Sequence, residues 1–285
     1  MNVLKIGKKS FKLNKRTLIM GILNVTPNSF SNGGKYLSLD RAIEHALSME
    51  KQGADIIDIG GESTRPGSKE ISFNEEIERV LPVIEEIVEK TNVPISIDTY
   101  KSKIAEKTLD AGVSMVNDVT ALRGDKLLVN IVAEYEVPIC LMHMRGKPRN
   151  MQVNPIYDDV IREISSFLKK RADFAIFNNV KKQNIIVDPG IGFGKRTGKD
   201  IEDNCIIIKH LSELKTLGFP ILIGASRKTF IGNVCGGKEK IPIKKRLEGS
   251  LAAACLSAYN GANIIRVHDV LETRRCLDLV DCVIR

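Results

Sequence analysis

Short apolar runs alternate with amphipathic stretches along most of the chain. Each amphipathic stretch ends at a glycine, a β-branched run follows, and a cluster of polar residues comes next. The glycines that close four of these stretches are Gly53, Gly112, Gly218 and Gly261. Glycine suits the left-handed backbone conformation that commonly ends a helix, so each unit is predicted to be a helix followed by a strand.

The apolar runs are continuous rather than alternating, which is typical of strands buried on both faces of a parallel sheet. Pro94, Pro138 and Pro220 precede three of them, a position that proline tolerates. Eight strands are predicted, at 18–24, 55–59, 95–98, 114–117, 138–143, 184–188, 221–225 and 263–267. Helices are predicted at 39–52, 74–90, 101–111, 125–135, 157–178, 201–217, 244–259 and 269–283.

Eight strands alternating with eight helices predict an α/β fold, a (β/α)8 TIM barrel that forms a single domain over residues 1–285. Residues 1–15 precede the first strand and are predicted to form a short hairpin-like cap. A doubly wound open sheet is the alternative architecture. The chain lacks the glycine fingerprint of dinucleotide-binding sheets, which weakens that alternative.

Polar residues follow the predicted strands at the end where such barrels place their active sites. A single Asp or Asn there is commonly a helix N-cap, but polar groups after every strand indicate a shared site. Three of them are hydrogen-bond acceptors: Asp98, Asn117 and Asp188. Four are cationic donors: Arg65, Lys228, Arg266 and His268.

The two groups indicate a ligand with two chemical ends. Carboxylates can accept paired hydrogen bonds from a guanidine-like N–C–N edge. The cations suit phosphate or carboxylate. Asn24 adds a neutral oxygen of the kind that Mg²⁺ accepts beside water and phosphate. The rim therefore predicts a flat, nitrogen-rich heterocycle that carries a phosphate group.

Composition narrows the class of partner. The chain has 43 Lys and Arg against 35 Asp and Glu, a net charge of +8, and the basic residues are scattered. Aromatic residues make up 5% and tryptophan is absent, so few platforms for stacking bases exist. We expect a small anionic ligand and no nucleic-acid partner; an RNA-binding barrel is the alternative.

Location and redox state are expected to be those of a cytoplasmic protein. The N-terminal residues lack the apolar segment of a secretory signal, and no apolar stretch reaches the length of a membrane helix, so no membrane partner is expected. The six cysteines lack zinc-finger spacing and are predicted to be reduced thiols. The glycine-rich run at 190–195 is not a Walker A loop, because Arg196 follows Lys195.

Eight motifs in this order resemble the dihydropteroate synthase family. They are LNVTPNSFSNGG (23–34), DIGGESTRPG (58–67), SIDTYK (96–101), VNDVT (116–120), LMHMRG (141–146), DPGIGFGK (188–195), GASRK (224–228) and RVHDV (266–270). The resemblance implies a barrel, usually a homodimer, that uses Mg²⁺. It implies condensation of 4-aminobenzoate with (7,8-dihydropterin-6-yl)methyl diphosphate, for which a dissociative displacement is our hypothesis.

The resemblance also implies a role for each rim residue. The pterin ring is expected to contact Asp98, Asn117, Asp188 and Lys228. The diphosphate is expected to contact Asn24, Thr64, Arg65, Arg266 and His268, with Asn24 also binding the metal. The 4-aminobenzoate pocket is expected to include Phe30, Thr64, Pro66, Phe193 and Ser226. The residues expected to act in catalysis are Asp98, Lys228, Arg266 and His268.

The chain departs from the family pattern at two places. Asn28 and Asn32 stand where the family usually has aspartate, and the segment RTGKDIED after Lys195 is about four residues longer than usual. Two alternatives share the pterin pocket: a methyltetrahydrofolate-dependent methyltransferase domain and a pterin-binding protein without turnover. The complete set of loop motifs argues against the first, and the cationic rim argues against the second.

Overall fold

The computed structural model describes residues 3–26, 35–63, 67–146, 150–198, 201–236 and 239–285, with only the backbone of 35–38. Its strands are β1 (Val3–Ile6), β2 (Lys9–Lys12), β3 (Leu18–Asn24), β4 (Ile56–Gly60), β5 (Ile95–Asp98), β6 (Met115–Asp118), β7 (Ile139–Met142), β8 (Ile185–Asp188), β9 (Leu222–Ile223) and β10 (Ile264–Val267). Its α-helices are α1 (Lys35–Lys51), α2 (Phe73–Lys90), α3 (Ser102–Asp110), α4 (Leu128–Glu134), α5 (Val160–Phe177), α6 (Asp203–Lys209), α7 (Thr229–Cys235), α8 (Leu247–Tyr259) and α9 (Val270–Ile284). Short 3₁₀ helices cover Lys182–Asn184, Leu211–Leu217 and Ile243–Lys245.

Strands β3 to β10 form one parallel sheet in the order β8-β7-β6-β5-β4-β3-β10-β9. A parallel bridge between Val187 of β8 and Ile221, the residue before β9, joins the two edges. The sheet therefore closes into a cylinder, and the connecting helices return outside it. This confirms the (β/α)8 barrel and excludes the open doubly wound sheet.

Side chains alternate along each strand between two environments. On β4, Ile57 and Ile59 pack with residues of the surrounding helices. Ile56 instead packs inside the cylinder in a smaller cluster with Met20 and Met115. Asp58 shares the inward parity of Ile56, so a charged side chain points into the barrel two residues further along the same strand.

The amino-terminal hairpin covers one end of the barrel. β1 and β2 pair in antiparallel register, with Leu4 opposite Phe11. Four of its side chains belong to the inner cluster of the barrel: Leu4, Ile6, Phe11 and Leu13. The predicted cap is confirmed, and because it covers the amino end, the carboxyl ends of the strands remain for the site.

The ends of most predicted elements lie within three residues of the observed ends. The larger differences cluster after β8. The predicted helix at 201–217 divides into α6 and a 3₁₀ helix. The predicted strand at 221–225 keeps only Leu222 and Ile223, because the chain turns at Ala225, whose carbonyl accepts from the Lys228 N–H at 3.3 Å. Helix α7 was not predicted; it holds only seven residues and follows the rim directly.

The glycines that end the helices adopt the expected left-handed backbone conformation. Gly53, Gly112, Gly218 and Gly261 have φ values of 96°, 103°, 76° and 108°. Within the described ranges, none of the helices has the length and apolar character needed to cross a membrane.

Candidate active site

An arginine between two carboxylates lies at the centre of the rim. Arg266 is on β10, and its Nε donates to Asp58 Oδ2 at 2.6 Å while its Nη2 donates to Asp98 Oδ2 at 2.8 Å. Asp58 lies on β4 and Asp98 ends β5, so one guanidinium connects three strands. Although burial opposes its charge, the two carboxylates raise the pKa of Arg266 above its usual value.

Asn117 joins this cluster from β6. It is paired in register with Asp98, and its Nδ2 donates to Asp58 Oδ2 at 3.0 Å. Asp98, Asn117 and Arg266, which the motifs placed in one site, are therefore brought together. The residue that connects them, Asp58, was not predicted. A carboxylate within the apolar run Ile56–Ile59 was the available signal, because a buried charge requires partners.

Among the described residues, the unpaired oxygens of this cluster favour a ligand group that donates hydrogen bonds. Burial raises the pKa of Asp98 to about 7; Arg266 opposes the shift, and the charge of Asp58 adds to it. The buried Oδ1 atoms of Asp58 and Asp98 and the Oγ of Ser96 have no hydrogen-bond partner within the described part of the chain. Acceptors without a donor are costly in a protein interior, and a bound ligand or water can satisfy them.

Asp188 ends β8, opposite Met142 in register. Its Oδ1 accepts from the Gly190 N–H at 2.7 Å, and burial raises its pKa although that hydrogen bond opposes the shift. Gly190 has a φ of 72°, and a Cβ there would lie 1.9 Å from the carbonyl oxygen of His143. The backbone around Asp188 thus requires glycine, which explains part of the glycine-rich run without a phosphate-binding loop.

Lys228 and Phe193 meet on the neighbouring side of the rim. The Lys228 Nζ lies 4.0 Å from the centre of the Phe193 ring and donates to the Ile191 carbonyl. Burial lowers the pKa of Lys228 to about 7, while Asp188 opposes the shift. Gly192 passes close to the lysine, since a Cβ there would lie 2.9 Å from Lys228 Cδ. The predicted pterin and 4-aminobenzoate residues are adjacent here.

Ser226 and His268 form a second predicted pair that the fold brings together. Ser226 Oγ and His268 Nδ1 are 3.0 Å apart, linking the turn after β9 to the end of β10. Arg227, between Ser226 and Lys228, has a φ of 58° and donates through Nε to Asp269 Oδ2 at 3.0 Å. The ion pair holds this strained turn against the start of α9.

Lys195 is a second buried residue whose role was not predicted. Its Nζ contacts the Nδ1 of His143 and the carbonyls of Gly190 and Phe193, each at 3.0 Å. Lys195 is 1% exposed and His143 is 6% exposed. His143 is thus a structural histidine beneath the Asp188–Phe193 segment rather than a group of the pocket wall.

Some predicted residues lie outside the described ranges. These are Phe30, Thr64, Arg65 and Pro66, together with the departures Asn28 and Asn32. Asn24 is described: it ends β3 opposite Gly60 and is half-buried at the rim. Among the residues for which the structure is described, no group of three or more His, Cys, Asp or Glu side chains is arranged to bind a metal.

Comparison with known proteins identifies the family of the chain. The family of pterin binding enzymes matches residues 20–268. The dihydropteroate synthase of Clostridium beijerinckii is 44% identical over 283 residues, covering 99% of this chain and 100% of that protein. The chain belongs to the dihydropteroate synthase family.

Solved dihydropteroate synthases share the fold throughout. The Xanthomonas albilineans enzyme with 4-aminobenzoic acid has a TM-score of 0.90 and 41% identity, covering 99% of this chain and 98% of that one. The Clostridium difficile enzyme in the presence of pteroic acid has a TM-score of 0.87 and 45% identity, covering 99% of each chain.

The chain is therefore a transferase of folate synthesis that forms dihydropteroate. The curated relatives are dihydropteroate synthases over nearly their whole length, which argues against the alternative of a methyltransferase domain. Dihydropteroate synthases are active with a divalent metal.

Proposed function

We propose that the carboxyl-end rim condenses 4-aminobenzoate with (7,8-dihydropterin-6-yl)methyl diphosphate through the residues of the Arg266 cluster. The observation that carries the assignment is a connected set of hydrogen bonds: Asn117 and Arg266 both donate to Asp58, and Arg266 also donates to Asp98. This arrangement offers hydrogen-bond acceptors to the nitrogen-rich pterin ring and a cation to the diphosphate leaving group.

The pterin ring is assigned to the acceptor side. Asp188, at the base of the rim, accepts from the 2-amino and N3 edge of the ring. Asp98 and Asn117 complete the ring contacts, and Lys228 donates to the ring oxygen and nitrogen. These roles need buried acceptors, and Asp98, Asn117 and Asp188 are 8%, 4% and 6% exposed. Buried hydrogen bonds to charged groups contribute about 1.5–3 kcal/mol each.

The diphosphate is assigned to the cationic side. Arg266 on β10 and His268, the residue after that strand, are assigned to it. Thr64 and Arg65, which follow β4 in the sequence, are assigned to it as well. The guanidinium of Arg266 has five N–H donors, of which the ion pairs with Asp58 and Asp98 use two. It can therefore bind an anion without leaving its carboxylates.

The 4-aminobenzoate pocket is assigned to Phe193 and Ser226, with Phe30, Thr64 and Pro66. Phe193 provides an apolar face whose position is set by Lys228 and Lys195. Ser226 is fixed by His268. The arylamine is neutral at pH 7, so the pocket needs to orient the nitrogen rather than deprotonate it.

The reaction is proposed to be a dissociative displacement. The bond between the pterin methylene and the diphosphate oxygen breaks first, and its electron pair leaves with the diphosphate. Positive charge then develops on the methylene and the dihydropterin ring, where the carboxylate of Asp98 stabilises it. The arylamine nitrogen bonds to the methylene and loses a proton to water. Diphosphate retained by Arg266 and His268 is expected to help form the 4-aminobenzoate site.

Mg²⁺ is proposed as the divalent metal, held by Asn24. The donor set fits, because Mg²⁺ often binds one or two protein oxygens and completes its shell with water and substrate phosphate. Asn24 is half-buried at the end of β3, opposite Gly60, the last residue of β4. The metal would neutralise charge on the leaving diphosphate.

We also propose a cytoplasmic homodimer in which residues 1–285 act as one pterin-binding domain. All six cysteines are free thiols, as expected in a reducing compartment. Exposed apolar side chains on α8 and α9 support a protein partner there, with Leu256, Tyr259, Leu279 and Val283 at 54%, 65%, 70% and 70% exposure.

Diphosphate release from the purified protein tests the proposal. The pterin diphosphate is supplied with 4-aminobenzoate and Mg²⁺ each present or omitted, and dihydropteroate is identified by mass. We expect release that depends on both additions and is lost in Asp188→Ala. Asp188→Asn keeps the size of the side chain and should also be impaired. Full activity in folded Asp188→Asn and Asp188→Ala would contradict the proposed pterin contact.

A further inference from the structure

A carboxylate beneath the proposed pterin site connects two of its residues. Asp58 is 0% exposed and lies between Ile57 and Ile59 in the middle of β4. In register it pairs with Ser96, whereas Asp98 pairs with Asn117. Asp58 therefore lies at the level of Ser96, one inward-facing layer below Asp98 and Asn117.

We propose that Asp58 is a positioning residue of the active site, which orients Arg266 and Asn117 for the pterin substrate. The inference rests on the roles proposed above for those two residues. One oxygen of Asp58 accepts from Arg266 Nε at 2.6 Å and from Asn117 Nδ2 at 3.0 Å. It thereby ties β10 and β6, which come from different parts of the barrel, to β4.

The contact with Asn117 determines which end of its amide faces the substrate. A carboxylate accepts hydrogen bonds and, when ionised, donates none, so the NH₂ group of Asn117 must point toward Asp58. The amide oxygen of Asn117 then points away from Asp58 and is available to the substrate. Asn117 consequently offers an acceptor, which selects a ring with N–H donors at that position.

The contact with Arg266 determines the angle of the guanidinium. With Nε held by Asp58, the Nη2 atom reaches Asp98 Oδ2 at 2.8 Å. The charge of Asp58 also contributes to the raised pKa of Asp98, which is about 7. Asp58 therefore affects the ionisation of Asp98 as well as the orientation of Arg266.

A buried carboxylate at the other end of the barrel provides a control for the effect of Asp58 on stability. Asp281 is another buried carboxylate, and it is bonded to Thr17 and Arg274 around the start of β3 and the helix α9. Those contacts lie at the amino end of the barrel, away from the rim. Asp281→Asn is therefore a matched control that removes a buried, arginine-paired charge without touching the proposed site.

The test compares steady-state kinetics of Asp58→Asn and Asp281→Asn with the wild type. We expect Asp58→Asn to raise the KM for the pterin diphosphate about tenfold or more, with the KM for 4-aminobenzoate within about twofold. The acid limb of its pH profile should move to lower pH, because a negative neighbour of Asp98 is lost. Asp281→Asn should leave both KM values and the acid limb unchanged. Circular dichroism and thermal unfolding verify folding.

Asp58→Ser is the second variant in case Asp58→Asn does not fold, since it leaves space for a water molecule between Arg266 and Asn117. A folded variant with an unchanged pterin KM and an unmoved acid limb overturns the inference, provided Arg266→Ala and Asn117→Ala are impaired. If those two variants have wild-type kinetics, the proposed roles of Arg266 and Asn117 fail instead.

Discussion

Lys195 Nζ lies 3.0 Å from His143 Nδ1, and both side chains are buried. With the carbonyls of Gly190 and Phe193, the three N–H donors of the ammonium meet three acceptors. When the ammonium is charged, His143 accepts at Nδ1 and its neutral imidazole carries the proton on Nε2. Burial lowers the pKa of Lys195 to about 7 and that of His143 well below its usual value, and the charge of Lys195 adds to the latter shift.

Lys195→Met is predicted to destabilise the protein by about 3 kcal/mol at pH 7, because it leaves buried acceptors on Gly190, Phe193 and His143 without a donor. It should also raise the KM for 4-aminobenzoate through displacement of Phe193. Urea unfolding and steady-state kinetics measure both effects. Lys169→Met is the control, since its side chain is 65% exposed, and it should change stability by about 0.5 kcal/mol or less. Equal unfolding midpoints would refute the prediction.

Gly190→Ala is predicted to lose both stability and pterin binding. Its φ is 72°, and the added Cβ would meet the His143 carbonyl oxygen at 1.9 Å, so the backbone next to Asp188 must move. Gly218→Ala is the matched control, with a φ of 76° and nothing within 4 Å of the added Cβ. We expect a cost of about 1 kcal/mol for the control and at least about 3 kcal/mol for Gly190→Ala. Similar losses in the two variants would show that the contact with His143 is unimportant.

The pH dependence of kcat/KM for the pterin diphosphate is predicted to be bell-shaped with its maximum near neutral pH. Burial raises the pKa of Asp98 to about 7 and lowers that of Lys228 to about 7. Activity should fall at low pH as Asp98 is protonated, and at high pH as Lys228 loses its charge. Asp98→Asn should remove the acid limb along with at least about a hundredfold of activity. A flat profile between pH 5 and 9 would contradict these assignments.

Leu279→Asp is predicted to dissociate the proposed homodimer. Leu279 is 70% exposed on α9, and a buried aspartate at an apolar interface would lack a partner. Sedimentation velocity should show a monomer for the variant and a dimer for the wild type. Phe177→Asp is the control, because Phe177 is 86% exposed on α5, away from α8 and α9. If both variants remain dimeric, the interface lies elsewhere.

Most of the site was accessible from the sequence because the barrel imposes a simple rule. Parallel strands bring their carboxyl ends to one rim, so Asp98, Asn117, Asp188 and Arg266 could be grouped from their positions after apolar runs. The family motifs then supplied their expected partners. Asp58 and Lys195 were missed, since the first lies inside a strand and the second in a loop, where no periodic pattern marks a buried charge.

Helix α7 was also missed, and strand β9 was predicted as residues 221–225 although only Leu222 and Ile223 are paired. Seven residues with one interior glycine carry too few turns for a clear amphipathic period, and a two-residue strand is defined only by its neighbours. β9 exists because β10 pairs with it and because Ile221 bridges to Val187. Such an element depends on closure of the cylinder.

The sequence by itself determined the barrel, its amino-terminal cap and the set of polar groups at one rim, because hydrophobic periodicity and strand-end position depend only on local order. Tertiary structure alone decided which of those groups bond to one another. Arg266 is 208 residues from Asp58 and 168 from Asp98 along the chain, yet one guanidinium joins them. Their distances and pKa shifts arise from burial in the closed cylinder, a property that no local pattern contains.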